Sequence, residues 1–286
     1  MEKIENALIY GIREYMEKSG QKKIVIGLSG GIDSALVAAL AVRAIGASNV
    51  IAVNMPSVYN SSTTKDLAAD LAAELGIEYY IIPIQESVDF TKSQIENILG
   101  IKVEGLMEEN IQARDRGSRV LMAVAAQPGC IMTNNGNKLE MATGYASIAG
   151  DLNGAIAPIA DLYKTQVFAL SRSMSRKYDI LTLAKICDIP ASAELSVDQI
   201  DPFFFEYHDR LMYQFLEMRR DPADILVSFK SGKLEELLNS WTYDVGAEYD
   251  LQKPIIGEDG YFPTIEAWIA DIERIWKAFR GASTIK

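Results

Sequence analysis

The sequence predicts an α/β protein: a parallel sheet with helices on both faces, followed by a helical C-terminal extension. Three observations predict it. Apolar runs at residues 23–28, 50–55 and 79–84 begin about 27 residues apart, each is followed by a helical stretch, and Gly46 and Gly76 close the first two stretches. Buried strands joined by helices need right-handed crossovers, which make neighbouring strands parallel.

Ahead of this rhythm, Ile4, Leu8, Ile12, Tyr15 and Met16 recur at helical spacing, so residues 2–18 read as one amphipathic helix that packs on the domain or on a partner subunit. Helices are then expected over 33–44, 64–75 and 85–99, with an irregular stretch at 100–109 and another helix over 110–126. A short strand at 130–133 feeds the polar turn Asn134-Asn135-Gly136-Asn137, and residues 163–177 read as helix. From Pro190 onward the chain is rich in aromatic and charged residues, with helical patches at 207–220 and 264–280. No repeat or linker divides it, so residues 1–286 are read as a single domain, with core motifs in 1–200 and a helical extension in 201–286.

At 286 residues and 49% hydrophobic content, the chain can bury a sizeable core. Its 28 basic and 39 acidic residues leave a net charge of −11, which argues against nucleic acid and anionic membranes as partners and requires any polyanion to be held locally. The charged amphipathic start is unlike a signal peptide, and no run of about 18 apolar residues is available to span a bilayer, so a cytoplasmic protein is expected. Cys130 and Cys187 match no zinc or redox spacing and are expected to be buried and reduced. His208, the single histidine, lies outside every motif, which excludes a Ser-His-Asp hydrolase and gives it a structural role. Phe203 to Phe205 read as core or subunit interface, and Trp241, Trp268 and Trp276 as packing.

The most informative segment is Gly27-Leu28-Ser29-Gly30-Gly31-Ile32-Asp33-Ser34-Ala35, where a buried strand turns into a helix. Gly30 and Gly31 let consecutive N–H groups converge, the helix N-terminus adds positive charge, and the Ser29 and Ser34 hydroxyls add donors. No Lys-Ser or Lys-Thr follows the glycines, and G-x-G-x-x-G is absent, so this is neither a Walker loop nor a dehydrogenase fingerprint. A carboxylate inside an anion cradle repels phosphate unless a cation lies between them, which makes Asp33 a candidate Mg2+ ligand. The competing reading is that Asp33 only caps its helix. The S-G-G-x-D-S pattern resembles the pyrophosphate loop of the N-type ATP pyrophosphatases, implying an adenine nucleotide alpha hydrolase-like fold and adenylation of a substrate oxygen.

Further motifs resemble those of the NAD synthetase family. Asn110-Ile111-Gln112-Ala113-Arg114-Asp115-Arg116 is similar to its N-I-Q-A-R-x-R signature. Two residues apart on a helix, the guanidinium groups diverge by about 200°, so one serves a ligand while the other faces elsewhere. The resemblance favours Arg114. The run from Thr133 to Glu140 resembles the family's T-x-N-K-x-E block, which implies that Thr133 contacts ATP and Glu140 is a second Mg2+ ligand. The block from Gly144 to Val167, with Gly150-Asp151 and Leu162-Tyr163-Lys164-Thr165-Gln166, implies that Lys164 contacts the ATP phosphates and that Asp151 lies near the pyridine and ammonia end. Pro190-Ala191-Ser192-Ala193-Glu194-Leu195 resembles a P-S-A-E-L element over the active site and implies Ser192 as an ATP contact. Met55, at the end of the second strand, joins the ATP-binding set.

The resemblance covers roughly residues 1–200. It implies a ligase that converts deamido-NAD to NAD with ATP and ammonia through an adenylated intermediate, releasing AMP and pyrophosphate, from a homodimer. Ile148 and Ala155 stand where ammonia-dependent bacterial members commonly carry a lysine and a second acid. The G-D-x-N-G pattern is closer to the synthetase domain of glutamine-dependent members, whose glutaminase domain has no room in 286 residues, so free ammonia or a separate glutaminase subunit is expected to supply nitrogen. Beyond Gln199 the tail departs from the family pattern, and the basic segment near the family's C-terminus has no match. The alternatives are the same chemistry on nicotinate mononucleotide, giving NMN, and a nucleotide-binding subunit without turnover. Thiolation of tRNA is disfavoured by the acidic charge and the lack of paired catalytic cysteines.

Overall fold

The computed structural model describes residues 1–190, 194–196, 201–241, 243 and 245–281. At its centre lies a parallel sheet of β1 (Lys23–Gly27), β2 (Val50–Asn54), β3 (Glu78–Ile81) and β4 (Cys130–Met132), ordered β3-β2-β1-β4. Ile24 pairs with both Val50 and Ile131, so β1 is flanked on either side. Its side chains alternate between two apolar clusters, as strands covered on both faces must.

On one face Ile24, Ile26, Val50, Ala52 and Ile131 meet α1 (Glu2–Ser19), α2 (Ile32–Ile45) and α3 (Ser62–Leu75). On the other, Val25, Ile51, Val53 and Met132 meet α4 (Gln85–Leu99) and a longer helical run. That run comprises α5 (Leu106–Arg114), a π-helical turn at Asp115–Leu121 and α6 (Met122–Ala125). The helix expected from residue 110 thus starts at Leu106, and 3.6-residue periodicity gives no sign of the wider turn inside it. A π turn marks a place where tertiary contact overrides the regular ladder. The third strand, expected over 79–84, ends at Ile81, because its solvent-facing edge lacks the burial that sustains the inner strands.

After the short α7 (Lys138–Thr143), α8 (Lys164–Tyr178) and α9 (Leu181–Cys187) return to the first face. Cys187 is buried there, whereas Cys130 on the edge strand is only half-buried; both are free thiols. The tail forms α10 (Phe205–Leu216), α11 (Pro222–Lys230), α12 (Leu234–Leu238) and α13 (Ile265–Gly281), joined by a third apolar cluster against α7 and α8. Helices α9, α11 and α12 were not foreseen; each is too short to show a full amphipathic repeat. Trp241 and Trp268 are buried in this cluster and Phe203, Phe205 and Trp276 pack on it, while Phe204 remains 44% exposed. His208 is buried, its Nε2 3.0 Å from Asp271 Oδ2 and its Nδ1 accepting the Phe204 N–H, which fits a structural role.

Asp209 on α10 fixes the start of α8. Fully buried, its Oδ2 accepts the Thr165 N–H at 2.7 Å and the Thr165 hydroxyl at 2.8 Å. Burial pushes the carboxyl up to about 7, against the opposing pull of those hydrogen bonds and of Lys164. A carboxyl whose folded-state value is raised binds more protons folded than unfolded, so stability falls as pH rises from about 4 to about 7 and is flat above. Asp209→Asn can still accept both bonds without carrying the charge. Its melting temperature relative to wild type is therefore expected to be higher at pH 8 than at pH 5; a pH-independent difference in thermal melts would refute the ionisation account.

Candidate functional site

From β1 the chain proceeds outward through β2 to β3, then crosses back to place β4 on the other side of β1. Loops leaving the carboxyl ends of β1 and β4 therefore diverge, and open α/β folds bind ligands in that crevice. A cavity of about 340 Å³ lies there, lined by the 27–34 segment, the end of β2, the turn after β4, and Glu140, Asp151 and Lys164.

The loop after β1 owes its shape to one glycine. Gly30 has φ +90°, and a Cβ there would lie 2.1 Å from the Thr64 carbonyl oxygen. Gly31 has φ −82° and would meet only Ser29 Oγ, at 3.4 Å, so its missing side chain clears space at the helix N-terminus instead. The hydroxyls turn inward: Ser34 Oγ donates to Gly31 O at 3.0 Å, and Ser29 Oγ accepts the Gly31 N–H at 3.2 Å. Across the crevice, Thr133 Oγ1 donates to Asn135 Oδ1 at 2.8 Å, and Asn135 Nδ2 donates to Gly27 O at 3.0 Å, tying the two strand ends together.

At the centre, three charged side chains from three elements converge. Lys164, the first residue of α8 and 2% exposed, places Nζ 2.5 Å from Asp33 Oδ2 and 3.4 Å from Glu140 Oε1. Asn137 Nδ2 donates to Asp33 Oδ1 at 3.1 Å, and Glu140 Oε2 accepts the Asn137 N–H at 3.2 Å in a capping box on α7. Asp33 is thus directed into the cavity rather than spent on its own helix end. Burial alone would lower the Lys164 value, but Asp33 and Glu140 outweigh it and raise it. Burial raises Glu140, with Lys164 opposing and Asp33 adding to the shift. One ammonium offsets only one of two carboxylates. The deficit and the hard oxygen donors fit Mg2+, which takes one or two carboxylates and completes its shell with substrate phosphates and water. Among the described residues, no cluster of three or more His, Cys, Asp or Glu side chains offers a fuller protein cage.

Beyond this cluster the wall is formed by the π turn and the 145–154 loop. A Cβ on Gly117 would lie 2.3 Å from Gly150 O, so two backbones touch where sequence spacing gave no hint. Asp151 opens onto the cavity and accepts the Ser147 N–H at 3.2 Å; crowding by protein raises its carboxyl, with Arg116 opposing. Of the two arginines, Arg116 lines the cavity, whereas Arg114 does not and its Nε donates to Ile148 O at 3.1 Å. Helical spacing left that choice open and the family resemblance favoured Arg114; the structure puts Arg116 in the cavity wall. Met55 and Thr133 lie in the wall of the cavity. Ser192 lies outside the described residues. Glu194, from the same segment, accepts from Thr64 Oγ1 at 2.8 Å and Asn60 Nδ2 at 3.0 Å at the cavity rim. Asn137 was not singled out from the sequence, although its Asn-x-x-Glu spacing could have revealed it; Arg116 was weighed against Arg114 there, and no local pattern decides between the two.

A family profile described as NAD synthase matches residues 4–239. The chain belongs to the NAD synthase family. It is 39% identical over 228 residues to a glutamine-dependent NAD(+) synthetase of Synechocystis sp., covering 79% of this chain and 40% of that one. The chain thus spans about two fifths of the length of that relative. With an NH(3)-dependent NAD(+) synthetase of Chlorobaculum tepidum it shares 36% identity over 260 residues, 89% of this chain and 88% of that one. A structure of NMN synthetase from Francisella tularensis superposes with a TM-score of 0.66 at 28% identity, covering 84% of this chain and 92% of that one. Among the described residues, no helix is long and apolar enough to cross a membrane.

Gly30→Ala combines a left-handed backbone with a clash against the Thr64 carbonyl. It is expected to cost about 2 kcal/mol or more and lower the melting temperature by roughly 5 °C, whereas Gly31→Ala should melt near wild type. Equal melting of the two variants would refute the assignment of loop shape to Gly30.

Proposed function

We propose that this chain is a ligase that amidates deamido-NAD to NAD with ATP and ammonia, through an adenylated intermediate, releasing AMP and pyrophosphate. The observation that carries the reading is the convergence of Lys164, Asp33 and Glu140 above a glycine-shaped loop at a helix N-terminus. In this family setting it supports splitting ATP between its α and β phosphates.

The N–H groups of the 29–34 loop and the positive end of α2 receive the phosphates. Asp33 and Glu140 would hold Mg2+, which supplies positive charge against the pyrophosphate. A nicotinate carboxylate oxygen attacks the α-phosphorus, the bond to the bridging α,β oxygen breaks, and Lys164 stabilises charge on the departing pyrophosphate. Ammonia then attacks the activated carbonyl carbon, the bond to AMP breaks, and Asp151 takes the proton lost by nitrogen. Met55, Thr133 and Ser192 complete the ATP set, and Arg114 is kept as a substrate contact. Free ammonia, or ammonia from a separate glutaminase subunit, supplies nitrogen in the cytoplasm.

The likeness to the Francisella NMN synthetase, with Ile148 and Ala155 replacing the charged residues of ammonia-dependent members, favours a second reading in which nicotinate mononucleotide is the substrate. Assays with ATP, Mg2+ and ammonium on each substrate separate the two. Asp33→Asn should lower turnover on the order of 100-fold or more, since it removes charge but little volume. Unchanged turnover would overturn the metal assignment.

A homodimer is supported by large apolar side chains left exposed on three successive elements: Tyr80 and Ile81 on β3, Phe90, Ile98 and Leu99 on α4, and Leu106 on α5. Contiguous exposed apolar area marks an interaction face. Light scattering should report a dimer for wild type and a monomer for the pair Phe90→Glu and Ile98→Glu; a monomeric wild type would refute the interface.

A further inference from the structure

Arg116 carries a charge that its surroundings do not use. Its Nε donates to Met55 O at 3.0 Å, and its Nη2 donates to Asn60 Oδ1 at 3.2 Å and Ser57 Oγ at 3.4 Å. All three acceptors are neutral, and Nη1 donates to none of the described residues. The nearby carboxylates are committed elsewhere. Asp115 accepts from Arg119 Nε and Nη2 at 2.6 and 2.7 Å and from Ser87 Oγ at 2.7 Å. Asp151 is bound to the Ser147 N–H, and Glu194 to Thr64 and Asn60. None of the three forms an ion pair with Arg116. Burial lowers the guanidinium's value, and the distant carboxylates oppose it without contact. A side chain needed only to staple the 55–60 connection to the π turn could be a neutral amide. A half-buried cation without a counter-charge is desolvated at a cost, so a guanidinium held here and lining the cavity is suited to an anion that arrives with a ligand.

We propose that Arg116 is a phosphate-binding residue of this cavity, taking a nucleotide phosphate with the Nη1 side of its guanidinium. This rests on the reading that the cavity holds nucleotides, and it adds a cation separate from the Lys164 cluster, which faces the pyrophosphate end. Two phosphates share the required chemistry: that of the adenylate and that of the nicotinate nucleotide. Neutral anchoring through Nε and Nη2 orients the group before ligand arrives, which limits the entropy lost on binding.

Calorimetric titration of the full chain tests this with two matched pairs, AMP against adenosine and nicotinate mononucleotide against nicotinate riboside. Wild type should prefer the phosphorylated member of at least one pair. R116Q should lose about 10- to 100-fold of that preference, the range for a hydrogen bond to a charged group, and keep its affinity for the unphosphorylated member within about threefold. R116K, which retains the charge but not the fork that anchors it, should keep only part of the preference. Collapse in the first pair assigns the phosphate to the adenylate, and collapse in the second to the other substrate. A wild type without preference in either pair, an R116Q preference unchanged in both, or parallel weakening of both members overturns the proposal and leaves Arg116 a staple. Amide formation is read separately: its absence beside a collapsed preference sinks the ligase reading alone, and its presence beside an unchanged preference sinks only the role of Arg116.

Discussion

The Lys164 ammonium between the Asp33 and Glu140 carboxylates is the contact on which the rest of the architecture depends. Its three members come from the first turns of α2, α7 and α8, which follow β1, β4 and a return across the sheet. Holding these helix starts within hydrogen-bonding distance requires the crossover that puts β4 beside β1. In return, the ammonium lets two carboxylates face one enclosed space that would otherwise disfavour both charges. The charge left over makes the site receptive to a divalent cation, and the helix termini around it favour phosphate.

Support for that contact reaches into the tail. Asp209 on α10 holds the Thr165 backbone, one residue after Lys164, and α10 is itself anchored by the aromatic cluster around Tyr207 and Trp268. The Trp268 indole N–H donates to the Tyr207 hydroxyl at 3.0 Å inside that cluster, so this buried donor is satisfied. The C-terminal helices therefore brace the end of α8 that carries the ammonium. Their contribution is mostly positional, through the Thr165 backbone, and the Phe205 ring at the start of α10 also lies 5.4 Å from the Lys164 ammonium.

The opposite wall shows a different compromise. Gly117 and Gly150 let the π turn and the 145–154 loop touch at backbone level, and this brings Arg116 and Asp151 to the same cavity. An arginine anchored only by neutral oxygens costs stability in the empty protein, as functional groups often do. Lys164 balances its charge within the protein, whereas Arg116 leaves its own for a ligand to balance.

The sequence by itself determined the parallel sheet, the helices on either face and the positions of the motif residues, because burial periodicity and glycine punctuation act over a few residues. It also placed Asp33, Thr133, Glu140 and Lys164 correctly at strand ends and helix starts, where the loop chemistry is local. Tertiary structure alone decided that Arg116 rather than Arg114 enters the cavity wall. That choice depends on a π turn shaped by contact between Gly117 and a loop some 30 residues away. It also decided that Asp209, outside every motif, braces α8, and that Gly30 rather than Gly31 sets the loop, since both depend on which backbone lies opposite. Local pattern is written in adjacent side chains; the closest approaches between distant segments are fixed only when the whole core packs.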